Sequence, residues 1–168
     1  MNGQPIRTFL DSGVLIAAYK GSPSIEASAI NILDDPNRVF LSSPFVRHEI
    51  SPKALYNLQQ DEYRFYQKYF RRAAFCDNLK SILSHAGKES ARSGIGPMDS
   101  LHIAAAYLLD ADEFVTTEKP GKSIYRTSLV KVSTCSDRPQ LFLLAVPRRG
   151  VNWQPWRGQT HSPGPCPL

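Results

Sequence analysis

The sequence has no apolar run near the ~18 residues that span a bilayer, and its opening, Met1-Asn2-Gly3-Gln4-Pro5, has no basic group leading into an apolar stretch. Neither a membrane span nor a secretory signal is expected, and a cytoplasmic protein is. Cysteine is scarce. Cys76, Cys135 and Cys166 show neither CxxC nor Cys–His spacing, which argues against structural zinc and a disulfide framework and suits a reducing compartment. Acid is missing from the C-terminal end: all 15 Asp and Glu precede Arg138, whereas Arg138, Arg148, Arg149 and Arg157 follow the last of them. The formal charge of +5 therefore belongs mostly to the tail. The nearly neutral body neither requires nor excludes a nucleic-acid partner.

What is present suits one globular domain, since 168 residues can bury one sizeable core. The pattern predicts a strand over 6–10, a short helix over 14–19 broken by Gly21 and Pro23, and a helix capped by Ser24 that ends at Asp34-Asp35-Pro36. A second strand follows at Val39–Leu41. Ser43 then caps a helix with Pro44 at its first position, which Pro52 is expected to kink or end before a further piece through Ala54-Leu55. Asp61-Glu62 opens a helix rich in aromatics through Phe75, whose stripe of Phe65, Tyr69 and Arg72 reads as a packing face. Further helices are expected over Leu79–Ser93, ending at Gly94, and from Pro97 to the Asp110-Ala111-Asp112 segment. The last strands are expected at Phe114–Thr117 and Leu129–Val132.

This alternation implies a three-layer α/β/α sandwich around a central, mainly parallel sheet over residues 1–137. Residues 138–168 read as a basic extension containing Pro, Gly and Trp, with one apolar run at Leu141–Val146 and partial disorder.

Four carboxylates, Asp11, Glu49, Asp99 and Glu118, stand where apolar segments meet turns or helix starts. In parallel sheets, ligands bind at the C-terminal strand ends near a switch in strand order, and Asp11 and Glu118 directly follow their strands. Each acid also has a plain structural role open to it: capping for Asp11, a solvated helix face for Glu49, the helix dipole for Asp99, a surface ion pair for Glu118. If the four converge within about 5 Å, each pair repels by roughly 3 kcal/mol at an effective dielectric near 20, so the cluster must bind cations or take up protons. Oxygen-only ligands select hard ions such as Mg²⁺ or Mn²⁺, which polarise phosphoryl oxygens and lower the pKa of bound water. Ser12 and Thr117, with Thr116, can orient the ligands or bind phosphate. Arg47 and Lys119, with Lys122, can steer a phosphate backbone.

Four motifs carry a resemblance in order. They are Phe9-Leu10-Asp11-Ser12-Gly13-Val14-Leu15-Ile16, the segment Phe40 to Ile50 around Glu49, Gly94 to Ala104 around Asp99, and Ala111 to Lys119 around Glu118. The set resembles the PIN domain family of metal-dependent ribonucleases, and the VapC-type toxins of bacterial toxin–antitoxin pairs in particular, over about residues 6–134. The resemblance implies hydrolysis of RNA phosphodiesters with Mg²⁺ or Mn²⁺, leaving 5′-phosphate and 3′-hydroxyl ends. It implies Asp11, Glu49 and Asp99 as metal ligands, with Glu118 completing or tuning the site. A small antitoxin and a second copy of the chain are the protein partners it implies.

The departures lie in two places. Gly13 stands where the family commonly has Asn, and Glu118, followed by Pro120-Gly121, stands where Asp is usual; its extra methylene moves the carboxylate outward by over ~1 Å. They keep open a second reading, a catalytically weakened PIN-like module that binds RNA or serves assembly. A third, an aspartyl-phosphate phosphotransferase with Asp11 as nucleophile, needs an acid two residues on, which Gly13 does not provide. His102, one turn after Asp99, reads as a packing or hydrogen-bonding residue.

Overall fold

The computed structural model describes residues 4–137; the C-terminal extension and its run at Leu141–Val146 lie outside the described residues. Five strands form one sheet: β1 (Ile6–Leu10), β2 (Arg38–Ser42), β3 (Ala74–Phe75), β4 (Glu113–Thr116) and β5 (Val132–Thr134). Their order is β3-β2-β1-β4-β5, and every pairing is parallel. Parallel neighbours need crossover connections, and helices supply them: α1 (Ser12–Lys20) and α2 (Pro23–Leu33) before β2, α3 (Pro44–Tyr56) and α4 (Gln60–Arg72) before β3, α5 (Leu79–Ser93) and α6 (Pro97–Leu108) before β4. The central strand is buried on both faces. Phe9 stacks on Phe114 with ring centroids 5.5 Å apart, while Thr8 and Leu10 on the opposite face are equally inaccessible. The protein is thus an α/β/α sandwich with a wholly parallel sheet.

The strand order places a topological switch at the middle of the sheet. From β1 the chain winds outward through β2 to β3, then returns to β4 on the other side of β1. The crevice beyond the C-terminal ends of β1 and β4 is where such sheets bind ligands. The Asp11 amide donates to the Val115 carbonyl at 2.9 Å, so the end of β1 is fixed against β4 at that point.

Several local expectations are corrected. Pro52 does not end its helix; α3 runs through it to Tyr56. Proline withholds a donor from the His48 carbonyl, but His48 is exposed and water can serve that acceptor, while Ile50 and Ala54 hold the helix to the core. The chain then turns at Leu58, in the left-handed region at φ 56°. Ser22, not Ser24, precedes α2, with Pro23 at its first position. The aromatic helix stops at Arg72, and Phe75 belongs to the two-residue edge strand β3, paired with Ser42. β4 begins at Glu113 and ends at Thr116. The last strand lies at Val132–Thr134 rather than Leu129–Val132, because Leu129 sits in a bend where its amide donates a hydrogen bond to Thr127 Oγ1 (3.2 Å). Among the described residues, no helix is long and apolar enough to cross a membrane.

Candidate functional site

Asp11 stands between the last residue of β1 and the first turn of α1 with an extended backbone, yet its carboxylate caps no helix amide. It faces the crevice instead. The Thr116 hydroxyl, from the end of β4, donates to Asp11 Oδ2 at 2.7 Å, and Ser12 Oγ donates to Oδ1 at 3.4 Å. Burial holds the Asp11 carboxyl above its ordinary range, against the opposing pull of His102 and the Thr116 bond, and the Glu49 charge pushes the same way as burial.

Glu49 reaches the same place from α3. Its Oε2 lies 3.0 Å from His102 Nε2, and this bond holds the Glu49 carboxyl below its usual range despite partial burial. Side-chain ligand atoms of Asp11, Glu49 and His102 lie within 4.8 Å of one another. His102 is buried, and its Nδ1 has no hydrogen-bond partner among the described residues. The sequence pattern marks His102 as a packing or hydrogen-bonding residue. Its ring does pack near Phe9 (centroids 6.4 Å), but it also brings α6 into contact with Glu49. The signal for this was its spacing: residues three apart on a helix share a face, so His102 points where Asp99 points.

Asp99 sits in the first turn of α6, the position favoured for an anion by the helix dipole. Burial, then the charge of Asp11, then those of Glu118 and Glu49 raise its carboxyl above the ordinary range, with His102 opposing. Asp99 therefore shares one electrostatic field with the other three acids, although the tightest group is Asp11, Glu49 and His102. No lysine or arginine among the described residues lies within salt-bridge distance of Asp11, Asp99 or Glu118.

Glu118 is exposed beyond β4. Its backbone is fixed at both ends: its amide donates to Thr116 Oγ1 at 3.1 Å, and its carbonyl accepts from the Tyr125 hydroxyl at 2.8 Å. Thr117 fills the space beside Gly13; a Cβ at position 13 would lie 2.5 Å from Thr117 Oγ1. The glycine and the threonine hydroxyl are thus complementary, and both border Asp11, whose Oδ2 would be 3.7 Å from that Cβ. Ser12 is buried between Asp11 and Glu49. Arg47 lies on α3 with its guanidinium 5.0 Å from the Phe70 ring centre and 4.5 Å from that of Phe75, so it is stacked against the β3 edge. Lys119 is exposed in the turn after Glu118.

Chemically, the crevice gathers carboxylate oxygens with no ion-pairing lysine or arginine among the described residues. The carboxylates suit a hard divalent ion such as Mg²⁺ or Mn²⁺, to which the tightest group adds a ring nitrogen of His102, and the raised carboxyls of Asp11 and Asp99 would be favoured as anions by a nearby cation.

Comparison with known proteins speaks to the family and the fold. The family model for the PIN domain matches residues 8–120. No curated protein matches the chain. Among solved structures, VapBC2 from Rickettsia felis bound to a DNA fragment from their promoter is similar at 15% identity and TM-score 0.59, over 77% of this chain and 98% of that one. A toxin–antitoxin complex from Klebsiella pneumoniae is similar at 15% identity and TM-score 0.60, over 76% and 97%. VapBC-1 from nontypeable Haemophilus influenzae follows at 20% identity and TM-score 0.58, over 78% and 99%. At such identities the likeness is one of fold. The matched span nevertheless contains Asp11, Glu49, Asp99 and Glu118 and runs through the crevice that collects them: the chain belongs to the PIN domain family.

Proposed function

We propose that the protein is a metal-dependent ribonuclease acting as the toxin of a toxin–antitoxin pair, with Asp11, Glu49 and Asp99 as ligands for Mg²⁺ or Mn²⁺. The observation that carries this reading is the acidic crevice at the topological switch, with Asp11 and Glu49 converging beside His102, Asp99 in the same field, and no lysine or arginine among the described residues paired with Asp11 or Asp99. When bound, a divalent ion supplies the charge that stabilises a phosphodiester's developing negative oxygens and makes water more acidic.

The remaining parts of the site follow from this chain's own residues. Thr116 fixes the Asp11 carboxylate by its hydroxyl and, through the Glu118 amide, fixes the turn that follows β4. His102 orients Glu49 by a direct hydrogen bond, as outer partners of metal-ligating carboxylates do. Ser12 and Thr117 present hydroxyls at the crevice floor. Glu118, exposed and longer than Asp, tunes the electrostatics of Asp99 rather than acting as a direct ligand. Lys119 and Arg47 steer the RNA backbone toward the crevice. The partners are RNA, a small antitoxin protein and a second copy of the chain, and the setting is the cytoplasm.

Purified protein incubated with a mixed RNA and Mn²⁺ is expected to cleave it, chelation to stop cleavage, and an Asp11→Asn/Asp99→Asn variant to be inactive while folded. Equal cleavage by both proteins, or by neither, contradicts the proposal.

A further inference from the structure

Away from the crevice, α1, α2 and α4 enclose a groove of about 810 Å³. Its floor is apolar and aromatic: Tyr19, Ile30, Leu33, Phe65 and Tyr69 line it. Its rim is charged and net basic, with Arg64, Lys68, Arg71 and Arg72 against Glu26 and Asp61. An apolar groove of this size is a place where another apolar segment packs.

The chain carries such a segment just beyond the described residues. After β5 the described residues end in the turn Cys135–Asp137, which packs on α2, one wall of the groove. Only Arg138, Pro139 and Gln140 separate that turn from Leu141-Phe142-Leu143-Leu144-Ala145-Val146, a run with no charge. At ~3.3–3.6 Å per residue, four steps from Asp137 reach at most about 14 Å. The run therefore begins within about that distance of the turn on α2, at an effective concentration in the ~mM range set by the short tether.

Charge selects the same piece of the tail. A basic rim would repel Arg148, Arg149 and Arg157, whereas Leu141–Val146 has no charge and six apolar side chains. We propose that the groove between α1, α2 and α4 is the docking site for residues 141–146 of the same chain, which cover its apolar floor in cis. The occupant is a segment of this protein and is independent of whether the acidic crevice cleaves RNA.

The test uses the full-length chain with Ile30→Cys and Leu143→Cys, and with Cys166→Ser so that no other tail thiol competes. Mild oxidation is expected to give an intramolecular disulfide, running as monomer, at least ~tenfold more often than a control pair of Lys80→Cys on α5 with Leu143→Cys. Adding Leu141→Asp and Leu144→Asp is expected to abolish it. A cross-link found only between two chains assigns the groove to a second copy and overturns the proposal, as does a yield equal to the control.

A second measurement leaves the groove untouched. Leu141→Asp/Leu144→Asp in otherwise native protein is expected to speed amide exchange in α1, α2 and α4 while α5 and α6 keep their rates. Unchanged exchange in all five helices overturns the proposal.

Discussion

The two ends of the sheet hold acids in opposite ways. At the N-terminal end, Arg38 lies buried among Asp35, Glu113 and Thr8: its Nε donates to Asp35 Oδ2 at 2.9 Å and its Nη1 to Thr8 Oγ1 at 2.6 Å, and the same nitrogen is ion-paired with Glu113. Asp35 and Glu113 there share Arg38 as their cation. At the C-terminal end, Asp11 and Asp99 have no ion-pairing lysine or arginine among the described residues, and burial first, then neighbouring acids, holds their carboxyls above the ordinary range. One end is complete as folded and contributes stability. The other has no lysine or arginine paired with Asp11 or Asp99 among the described residues, at the place where strand order reverses, and under the proposed function a divalent ion would supply that positive charge.

Asp11→Asn breaks the comparison hardest. Loss of several kcal/mol of transition-state stabilisation corresponds to about a thousandfold or more in cleavage rate, and is expected with little loss of metal-free stability, since the anion removed is disfavoured in the folded state. RNA cleavage and thermal melting of the same preparation check both halves.

Arg38→Met is the opposite case. It removes the guanidinium ion-paired with Glu113, whose side chain is 12% exposed, and leaves the Thr8 hydroxyl on that carboxylate. Removing one partner of a buried pair costs about 3–5 kcal/mol, so Tm should fall on the order of 10 °C while the folded fraction keeps its activity. A normal Tm removes the claim that this end is structural.

His102→Gln at the crevice should weaken Mn²⁺ affinity about 10–100-fold, the range for outer partners of metal ligands. The same change should let the Glu49 carboxyl return toward its ordinary range, because the His102 bond is the first cause of its depression. Calorimetry and a pH profile of cleavage read the two effects separately. A merely structural histidine would leave the profile unmoved.

The smallest effect concerns pH. Asp99 has a folded pKa above its unfolded value of about 4, so the folded state binds more protons between the two values. Its contribution to stability therefore falls as pH rises through that window. Glu49 has the opposite sign: its contribution is present above the unfolded pKa and lost as pH falls through the lowered folded value. In chelator, Asp99→Asn should melt above wild type at neutral pH, with the gap closing as pH approaches the ordinary carboxylate range. A gap that is constant with pH contradicts the field ascribed to Asp99.

How much of this was legible in the sequence follows the range of the interactions. The starts of α3 and α6 at Pro44 and Pro97, the end of α5 at Gly94 and the strand ahead of Asp11 are written in adjacent residues. So were the four acids, because each marks a local boundary. β3 was not legible, since two residues become a strand only by pairing with Leu41 and Ser42. Nor was the bond between His102 and Glu49, 53 residues apart, although the turn from Asp99 to His102 pointed to it. The Arg38 cluster needed the register of β1 with both neighbours, which places Arg38 and Glu113 on either side of Thr8. The fit between Gly13 and Thr117 depends on how α1 meets the turn after β4, a contact no local pattern encodes.

The central claim is that, among the described residues, Asp11 and Asp99 lack an ion-pairing lysine or arginine whereas Asp35 and Glu113 have Arg38. Calorimetric titration of metal-free protein with Mn²⁺ tests it most directly, comparing wild type with Asp11→Asn at one end and Glu113→Gln at the other. Saturable binding in wild type and in folded Glu113→Gln, absent from Asp11→Asn, is the predicted result. Binding that survives Asp11→Asn, or that is absent from wild type, contradicts the account.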